Sequence, residues 1–214
     1  IEAFKQSLHQ NIGEDDRFCW LTSSGWIMWN AQFVSLGRGA TLAMFDGAPN
    51  YPDMMELWRF VVEHRLTFFG AGAAFITGCV KAGIRPGEVL VLSELHAIGV
   101  TGSPLTSDGY DWVYDAVKSD VWLAPFSGGT DLAGAFVAGN AMMPVRAGEM
   151  QCRVLGNAVR AFDEDGNDLI GQVGELVCTE PLPSMPLFFW GDEDGSRLHD
   201  SYFDTYPGIW RHGD

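Results

Sequence analysis

One short segment combines a permissive backbone with two oxygen-bearing side chains: Ser127-Gly128-Gly129-Thr130-Asp131. Adjacent glycines allow positive φ and close approach of a ligand to the backbone, because neither residue carries a Cβ. The Thr130 hydroxyl suits a phosphate oxygen, and the Asp131 carboxylate suits a hard cation such as Mg²⁺. The segment therefore predicts a site for a phosphorylated ligand and its metal ion; a flexible turn with a solvated aspartate is the alternative.

A buried strand is expected to place this segment at the edge of a sheet. Residues 121–125 form an apolar run that predicts a strand, so the glycines should open a loop at its carboxyl end. Ligands of open α/β sheets bind at that edge. The predicted loop is therefore in the position where such a fold holds its substrate.

Alternating strands and helices precede the segment. Strands are predicted at 17–21, 40–45, 66–69 and 97–101, and helices at 26–36 and 73–82. Asp53 is predicted to cap a helix with an apolar stripe, and Thr106 or Ser107 to cap another. This order predicts βαβ units with right-handed crossovers and a parallel sheet. After about residue 139, short extended segments at 150–155, 157–162 and 174–178 predict a small antiparallel barrel or sandwich.

Composition excludes several classes of protein. The net charge is −15, with only three lysines (Lys5, Lys81 and Lys118), so a surface that follows nucleic-acid phosphates is not expected. No apolar run reaches the length of a membrane span. The four cysteines lack metal-ligand spacing, which favours buried, reduced thiols in a cytoplasmic protein.

Other motifs give weaker signals. Residues 70–75 lie between a strand and a helix but lack the third glycine of a dinucleotide loop, so close packing against a neighbouring ligand is expected there. Residues 22–25 resemble part of a phosphate loop without its lysine. The aromatic pair that follows, Trp26 and Trp29, is expected either in a pocket wall or in the core. The five histidines form no catalytic triad, and the nucleophile elbow of serine hydrolases is missing.

Six segments in order give the chain a specific resemblance. It resembles the adenylate-forming acyl-CoA synthetase superfamily, and especially those members that activate acetoacetate. The segments are residues 22–26, 102–104, 127–131, 174–177, 183–192 and 210–214. The resemblance extends over nearly the whole chain. It implies a doubly wound α/β subdomain over residues 1–139, followed by part of a small β-barrel-like subdomain over residues 140–214.

The resemblance also implies roles for individual residues. Gly102, Ser103 and Pro104 would lie against the adenine, although Ser103 replaces a commoner glutamate. Gly128 and Gly129 would border the same ring. Two residues would act in catalysis: Thr130 would contact the α-phosphate, and Asp131, shorter than the usual glutamate, would bind Mg²⁺ directly or through water. Asp214 would accept hydrogen bonds from both ribose hydroxyls. Trp26 and Gly128 would line the acyl pocket, where the missing side chain of Gly128 would leave room for a four-carbon keto acid.

The implied activity joins acetoacetate to coenzyme A with ATP and Mg²⁺, through an acyl-adenylate. The phosphate loop with its lysine is expected before Ile1, and the domain with the second catalytic lysine after Asp214. We therefore expect this segment alone to be inactive. Three alternatives remain open: a ligase for another short- or medium-chain acid, a non-catalytic nucleotide-binding module, and a structural or interaction protein.

Overall fold

Five parallel strands form the sheet that organises the first part of the chain. The computed structural model describes residues 2–213. Neighbouring strands pair in parallel in the order β2-β1-β3-β4-β5. Their bounds are β1 (Arg17–Trp20), β2 (Thr41–Leu42), β3 (Phe68–Gly72), β4 (Ala97–Thr101) and β5 (Trp122–Pro125). This topology confirms the predicted α/β class.

Helices cover both faces of this sheet. Successive strand residues point to opposite faces: Phe18 packs with Met28 on one face, and Cys19 packs with Leu57 and Ile76 on the other. The sheet is therefore doubly wound. The helices are α1 (Glu2–Gln10), α2 (Ile27–Leu36), α3 (Glu56–Glu63), α4 (Ala73–Ala82), α5 (Pro86–Val89) and α6 (Ser107–Trp112), which continues as a π-helical segment (Val113–Val117).

Two local predictions about this region were wrong and one is confirmed. Asp53 does not cap α3, which begins after Met55; its carboxylate instead accepts a hydrogen bond from the Met55 amide at 2.8 Å and pairs with Arg59. The strand expected at 66–69 begins two residues later, at Phe68. Thr106 caps α6 as expected, accepting a 3.4 Å hydrogen bond from the Gly109 amide.

The sequence suggested that the loop at Gly70 packs against a ligand. In the structure, Gly70 packs against an indole ring instead. A Cβ at Gly70 would lie 1.9 Å from the Trp20 ring, and one at Gly99 would lie 2.3 Å from it. The two glycines belong to β3 and β4 and face each other in register. Their missing side chains create the space that Trp20 fills, which explains why glycine occupies positions 70 and 99.

Short strands dominate the later part of the chain. One antiparallel sheet has the order β11-β10-β9, and a second three-stranded sheet has the order β6-β7-β8. The strands are β6 (Ser127–Gly129), β7 (Gly134–Ala138), β8 (Cys152–Arg153), β9 (Val159–Phe162), β10 (Glu175–Cys178) and β11 (Trp210–Arg211); helix α7 (Ser196–Tyr202) precedes β11. The β-rich prediction for this region is confirmed.

Two compact units divide the chain in an interleaved way. The first comprises residues 2–127 and 137–152, and the second comprises residues 128–136 and 153–213. One cut after residue 139 does not separate them, because β7 contributes residues to both. Within residues 2–213, no helix is long and apolar enough to cross a membrane. All four cysteines are free thiols.

Candidate functional site

In the first unit, the carboxyl ends of adjacent strands present an exposed loop. Thr101 ends β4 and donates a 2.9 Å hydrogen bond from its hydroxyl to the carbonyl of Phe126, just beyond β5. Gly102 follows with φ +90°, a conformation that only glycine adopts without strain. Gly102, Ser103 and Pro104 are all exposed. The predicted adenine segment therefore lies at the sheet edge where α/β folds bind ligands.

Trp26 is exposed at the start of α2. Its exposed fraction is 62%, while Met28 two residues later is buried. The next tryptophan, Trp29, packs edge to face on Phe33 at 5.6 Å between ring centroids. Of the two alternatives for Trp26, a place in the core is excluded; its role in an acyl pocket stays a prediction.

The Ser-Gly-Gly segment is a strand and not the loop that the sequence suggested. Ser127, Gly128 and Gly129 form β6, and neither glycine has a positive φ. The turn begins at Thr130, whose carbonyl accepts a 3.0 Å hydrogen bond from the Ala133 amide. The two glycines are therefore required for a reason other than left-handed backbone.

Backbone of the neighbouring strand occupies the space beside Gly128. A Cβ at this position would lie 2.2 Å from the Gly134 carbonyl oxygen and 2.6 Å from the Ala135 Cα. The missing side chain thus allows β6 and β7 to approach closely. It does not leave an empty volume for an acyl group, so the expectation that Gly128 enlarges a substrate pocket is corrected on this point.

Thr130 and Asp131 lie on the turn between β6 and β7 with exposed side chains. The next residue, Leu132, is fully buried, so the turn is anchored by its side chain. One hydroxyl and one carboxylate are hard oxygen donors, which is the donor type that Mg²⁺ takes together with substrate phosphates. The side chains present therefore fit the metal ion that the resemblance implies.

His212 packs directly against the same strand. A Cβ at Gly129 would lie 2.5 Å from the His212 Cε1 atom. The imidazole also contacts Phe136 of β7 edge to face, with ring centroids 4.6 Å apart. Its backbone amide donates a 3.0 Å hydrogen bond to the Leu176 carbonyl on β10. The segment that leads to Gly213 thus packs against β6 through the His212 ring.

Tyr202 contacts Asp131, and sequence reasoning missed this pair. The phenol hydroxyl at the end of α7 donates a hydrogen bond to Asp131 Oδ2. The two residues are 71 positions apart, so no local spacing signals the contact. Asp214, the predicted ribose ligand, lies outside the described residues. Gly213 before it has φ +81°.

Three of the four cysteines have thiols whose pKa is raised. Burial raises the pKa of the Cys19 thiol to about 12 and that of Cys79 to about 11, because the thiolate loses its hydration. The pKa of Cys152 is also raised by burial. Thiolates are the reactive form, so these three residues are inert near neutral pH.

Comparison with known proteins confirms the resemblance found from the six segments. The chain is 41% identical to acetoacetyl-CoA synthetase of Gallus gallus over 97% of its length, and 41% identical to acetoacetyl-coenzyme A synthetase of Rhizobium meliloti (strain 1021) over 96%. The solved structure of acetoacetyl-CoA synthetase from Streptomyces lividans matches all of the chain with a TM-score of 0.94 and 46% identity. No protein-family model matches. The chain spans about a third of these relatives: 31%, 32% and 34% of their lengths.

Proposed function

We propose that this chain is the nucleotide-binding segment of an AMP-forming acid–thiol ligase. Nearly all of its residues align with acetoacetyl-CoA synthetases, and the aligned part is about a third of the length of those enzymes. The substrates proposed are acetoacetate, ATP and coenzyme A, with Mg²⁺ accompanying ATP. A segment of this size supplies only part of the catalytic groups of such a ligase. We accordingly propose activity for the longer enzyme, acting in the cytoplasm, and not for these 214 residues alone.

The observation that carries this proposal is the turn at Thr130 and Asp131. It presents a hydroxyl and a carboxylate to solvent from the turn that joins β6 to β7. The buried Leu132 and the close approach at Gly128 fix its backbone. Preorganised donors stabilise developing charge at little reorganisation cost. This is what transfer of a nucleotidyl group requires of its α-phosphate contacts.

The proposed reaction has two steps. In the first, a carboxylate oxygen of acetoacetate attacks the α-phosphorus of ATP; a new P–O bond forms, and pyrophosphate leaves with the electrons of the broken bond. In the second, the thiol sulfur of coenzyme A attacks the acyl carbon and forms a C–S bond. The thiol proton is lost to solvent, and AMP leaves with the electrons of the broken C–O bond. The adenylate is needed because AMP is a far better leaving group than the oxide of a free carboxylate.

Each site residue has a proposed part in this chemistry. The Thr130 hydroxyl donates to the α-phosphate, while the exposed loop of Gly102, Ser103 and Pro104 receives the adenine. Gly129 borders the nucleotide through its backbone. Trp26 is proposed as a wall of the acyl pocket, and Asp214 as the acceptor for the ribose hydroxyls. One carboxylate suits two vicinal hydroxyls, because its two oxygens accept both hydrogen bonds.

Asp131, with Thr130 beside it, is proposed to hold Mg²⁺. The ion would neutralise charge on the phosphate oxygens. The only protein contribution that we assign is the carboxylate oxygen and its orientation.

Two other functions remain as alternatives with separate signatures. A ligase for another short- or medium-chain acid would release pyrophosphate with that acid and not with acetoacetate. A nucleotide-binding module without activity would bind MgATP but release pyrophosphate with none. The 46% identity to a solved acetoacetyl-CoA synthetase favours acetoacetate over both.

The test is acid-dependent pyrophosphate release by the full-length protein that contains this segment. We expect acetoacetate to give the highest kcat/KM in a panel that includes acetate, butyrate and 3-hydroxybutyrate. A different preferred acid would overturn the substrate assignment. Binding of ATP with no pyrophosphate release from any acid would overturn the ligase assignment.

A further inference from the structure

Tyr202 is held rigidly in the second unit. Its ring stacks on Trp210 with centroids 3.6 Å apart and an angle of 12° between the ring planes. Trp210 is only 1% exposed and belongs to β11, which pairs with β10. An aromatic stack on a buried, sheet-bound indole leaves the phenol few orientations.

The helix that carries Tyr202 is fixed at its other end as well. Asp192 is buried, and its two carboxylate oxygens accept hydrogen bonds of 3.0 Å from the backbone amides of Arg197 and Leu198. These are donors of the first turn of α7, which have no partners inside the helix. Both ends of α7 are therefore anchored, and the Tyr202 hydroxyl lies at a defined position.

The Tyr202 hydroxyl makes the two carboxylate oxygens of Asp131 different, because it binds only one of them. Oδ2 accepts the hydrogen bond from Tyr202. Among residues 2–213, no donor is found for Oδ1. Without Tyr202, an exposed aspartate would rotate about its side-chain torsions and present either oxygen to solvent. With Oδ2 fixed, Oδ1 has one direction.

We propose that Tyr202 is a positioning residue that orients the Asp131 carboxylate so that Oδ1 meets the divalent cation of the bound nucleotide. This inference rests on the proposed function, which makes Asp131 the cation ligand. Groups that hydrogen-bond a metal-ligating carboxylate fix its geometry, and their loss typically weakens metal affinity about 10- to 100-fold.

The test compares Tyr202→Phe with a matched control, Tyr206→Phe, in the full-length protein. The first substitution keeps the stack on Trp210 and removes only the hydroxyl. The second removes a hydroxyl that donates a 2.9 Å hydrogen bond to the Asp163 carbonyl, elsewhere in the same unit. Calorimetry measures the Kd of ATP with Mg²⁺ and with EDTA, and the ratio of the two constants reports the contribution of the metal.

We expect Tyr202→Phe to reduce this Mg²⁺-dependent gain in affinity about 10-fold while leaving the Kd in EDTA unchanged. Tyr206→Phe should keep the wild-type ratio even if it lowers the melting temperature. Combining Tyr202→Phe with Asp131→Asn should give no further loss beyond Asp131→Asn alone. This additional comparison separates positioning of Asp131 from general support of α7.

A wild-type ratio in folded Tyr202→Phe would overturn the inference. If Tyr202→Phe fails to fold while Tyr206→Phe folds, then the hydroxyl stabilises the fold and the positioning role is rejected. A wild-type protein whose ATP affinity does not respond to Mg²⁺ would instead contradict the proposed metal site itself. The two failures are thus distinguishable.

Discussion

The imidazole of His212 occupies the space that a side chain at Gly129 would need, 2.5 Å from the position of its Cβ. Because His212 also contacts Phe136, the ring is confined between β6 and β7. The segment before the predicted ribose ligand is therefore fixed against the strand that precedes Thr130 and Asp131. This relationship joins two of the six sequence segments within one compact unit.

Gly129→Ala is expected to destabilise the second unit by about 1–3 kcal/mol, the usual cost of overpacking. The added methyl would displace the His212 ring and, with it, the turn at Thr130. Chemical denaturation measures the stability. Gly25→Ala is the matched control, because a Cβ there meets nothing within 4 Å. It should change stability by no more than about 0.5 kcal/mol.

Replacing both partners tests the contact itself. The clash disappears when Gly129→Ala is combined with His212→Ala. The double variant should therefore lose less stability than the sum of the losses in the two single variants. A coupling of about 0.5–3 kcal/mol is typical of residues in contact. Strictly additive losses would show that the ring does not press on Gly129 in solution.

Gly128→Ala is expected to damage every acid substrate alike. The new Cβ would meet the backbone of Gly134 and Ala135, which cannot rotate away as a side chain does. We expect a loss of about 3 kcal/mol in stability, the upper end for overpacking, with parallel falls in kcat/KM for acetate, acetoacetate and butyrate. A variant of normal stability with a changed preference among these acids would instead return Gly128 to the acyl pocket.

The sequence predicted the parts of the fold that depend on local pattern. Alternating apolar runs placed β1, β4 and α4 correctly, because buried strands and helices repeat at characteristic periods. The carboxyl edge that presents residues 102–104 followed from the parallel topology. Thr106 was a successful cap prediction because its partner is only three residues away.

Contacts between distant residues could not be predicted in this way. Asp53 has the side chain of a cap, but α3 begins only after Met55, and the carboxylate binds both the Met55 amide and the side chain of Arg59. The sequence pattern suggested that Gly128 is a glycine because it lies in a loop. In the structure, glycine is needed there because the backbone of β7 approaches it closely. The pair of Tyr202 and Asp131 depends on tertiary packing, which no period or spacing encodes.

Asp214→Ala in the full-length protein is expected to weaken ATP binding by about 1.5–3 kcal/mol, the range for hydrogen bonds to a charged group. If the carboxylate accepts both ribose hydroxyls, 2′,3′-dideoxy-ATP should bind the wild type poorly and lose little further affinity in the variant. Calorimetry with both nucleotides measures this. Equal penalties from the nucleotide change in both proteins would assign Asp214 another role.

Alkaline pH is expected to destabilise the first unit through its buried thiols. Burial holds the pKa of Cys19 at about 12 in the folded state, whereas an unfolded thiol titrates at about 8.5. Between these values, the unfolded chain releases a proton that the folded chain retains. The free energy of unfolding should therefore fall as pH rises, approaching about 1.4 kcal/mol per pH unit from this thiol.

Cys19→Ala provides the comparison for this effect. Its stability should decline less steeply than that of the wild type above pH 9, and below pH 8 the difference between the two should not vary with pH. Denaturant titrations at several pH values measure both slopes. Identical slopes would show that Cys19 ionises in the folded protein as easily as in the unfolded one.

Transfer of labelled oxygen tests the proposed chemistry most directly. The full-length protein is incubated with acetoacetate carrying ¹⁸O in its carboxylate, together with ATP, Mg²⁺ and coenzyme A, and the products are analysed by mass spectrometry. Attack of the carboxylate on the α-phosphorus predicts one ¹⁸O atom in AMP and none in pyrophosphate. Formation of acetoacetyl-CoA with the label in inorganic phosphate, or with unlabelled AMP, would contradict an acyl-adenylate and with it the proposed function.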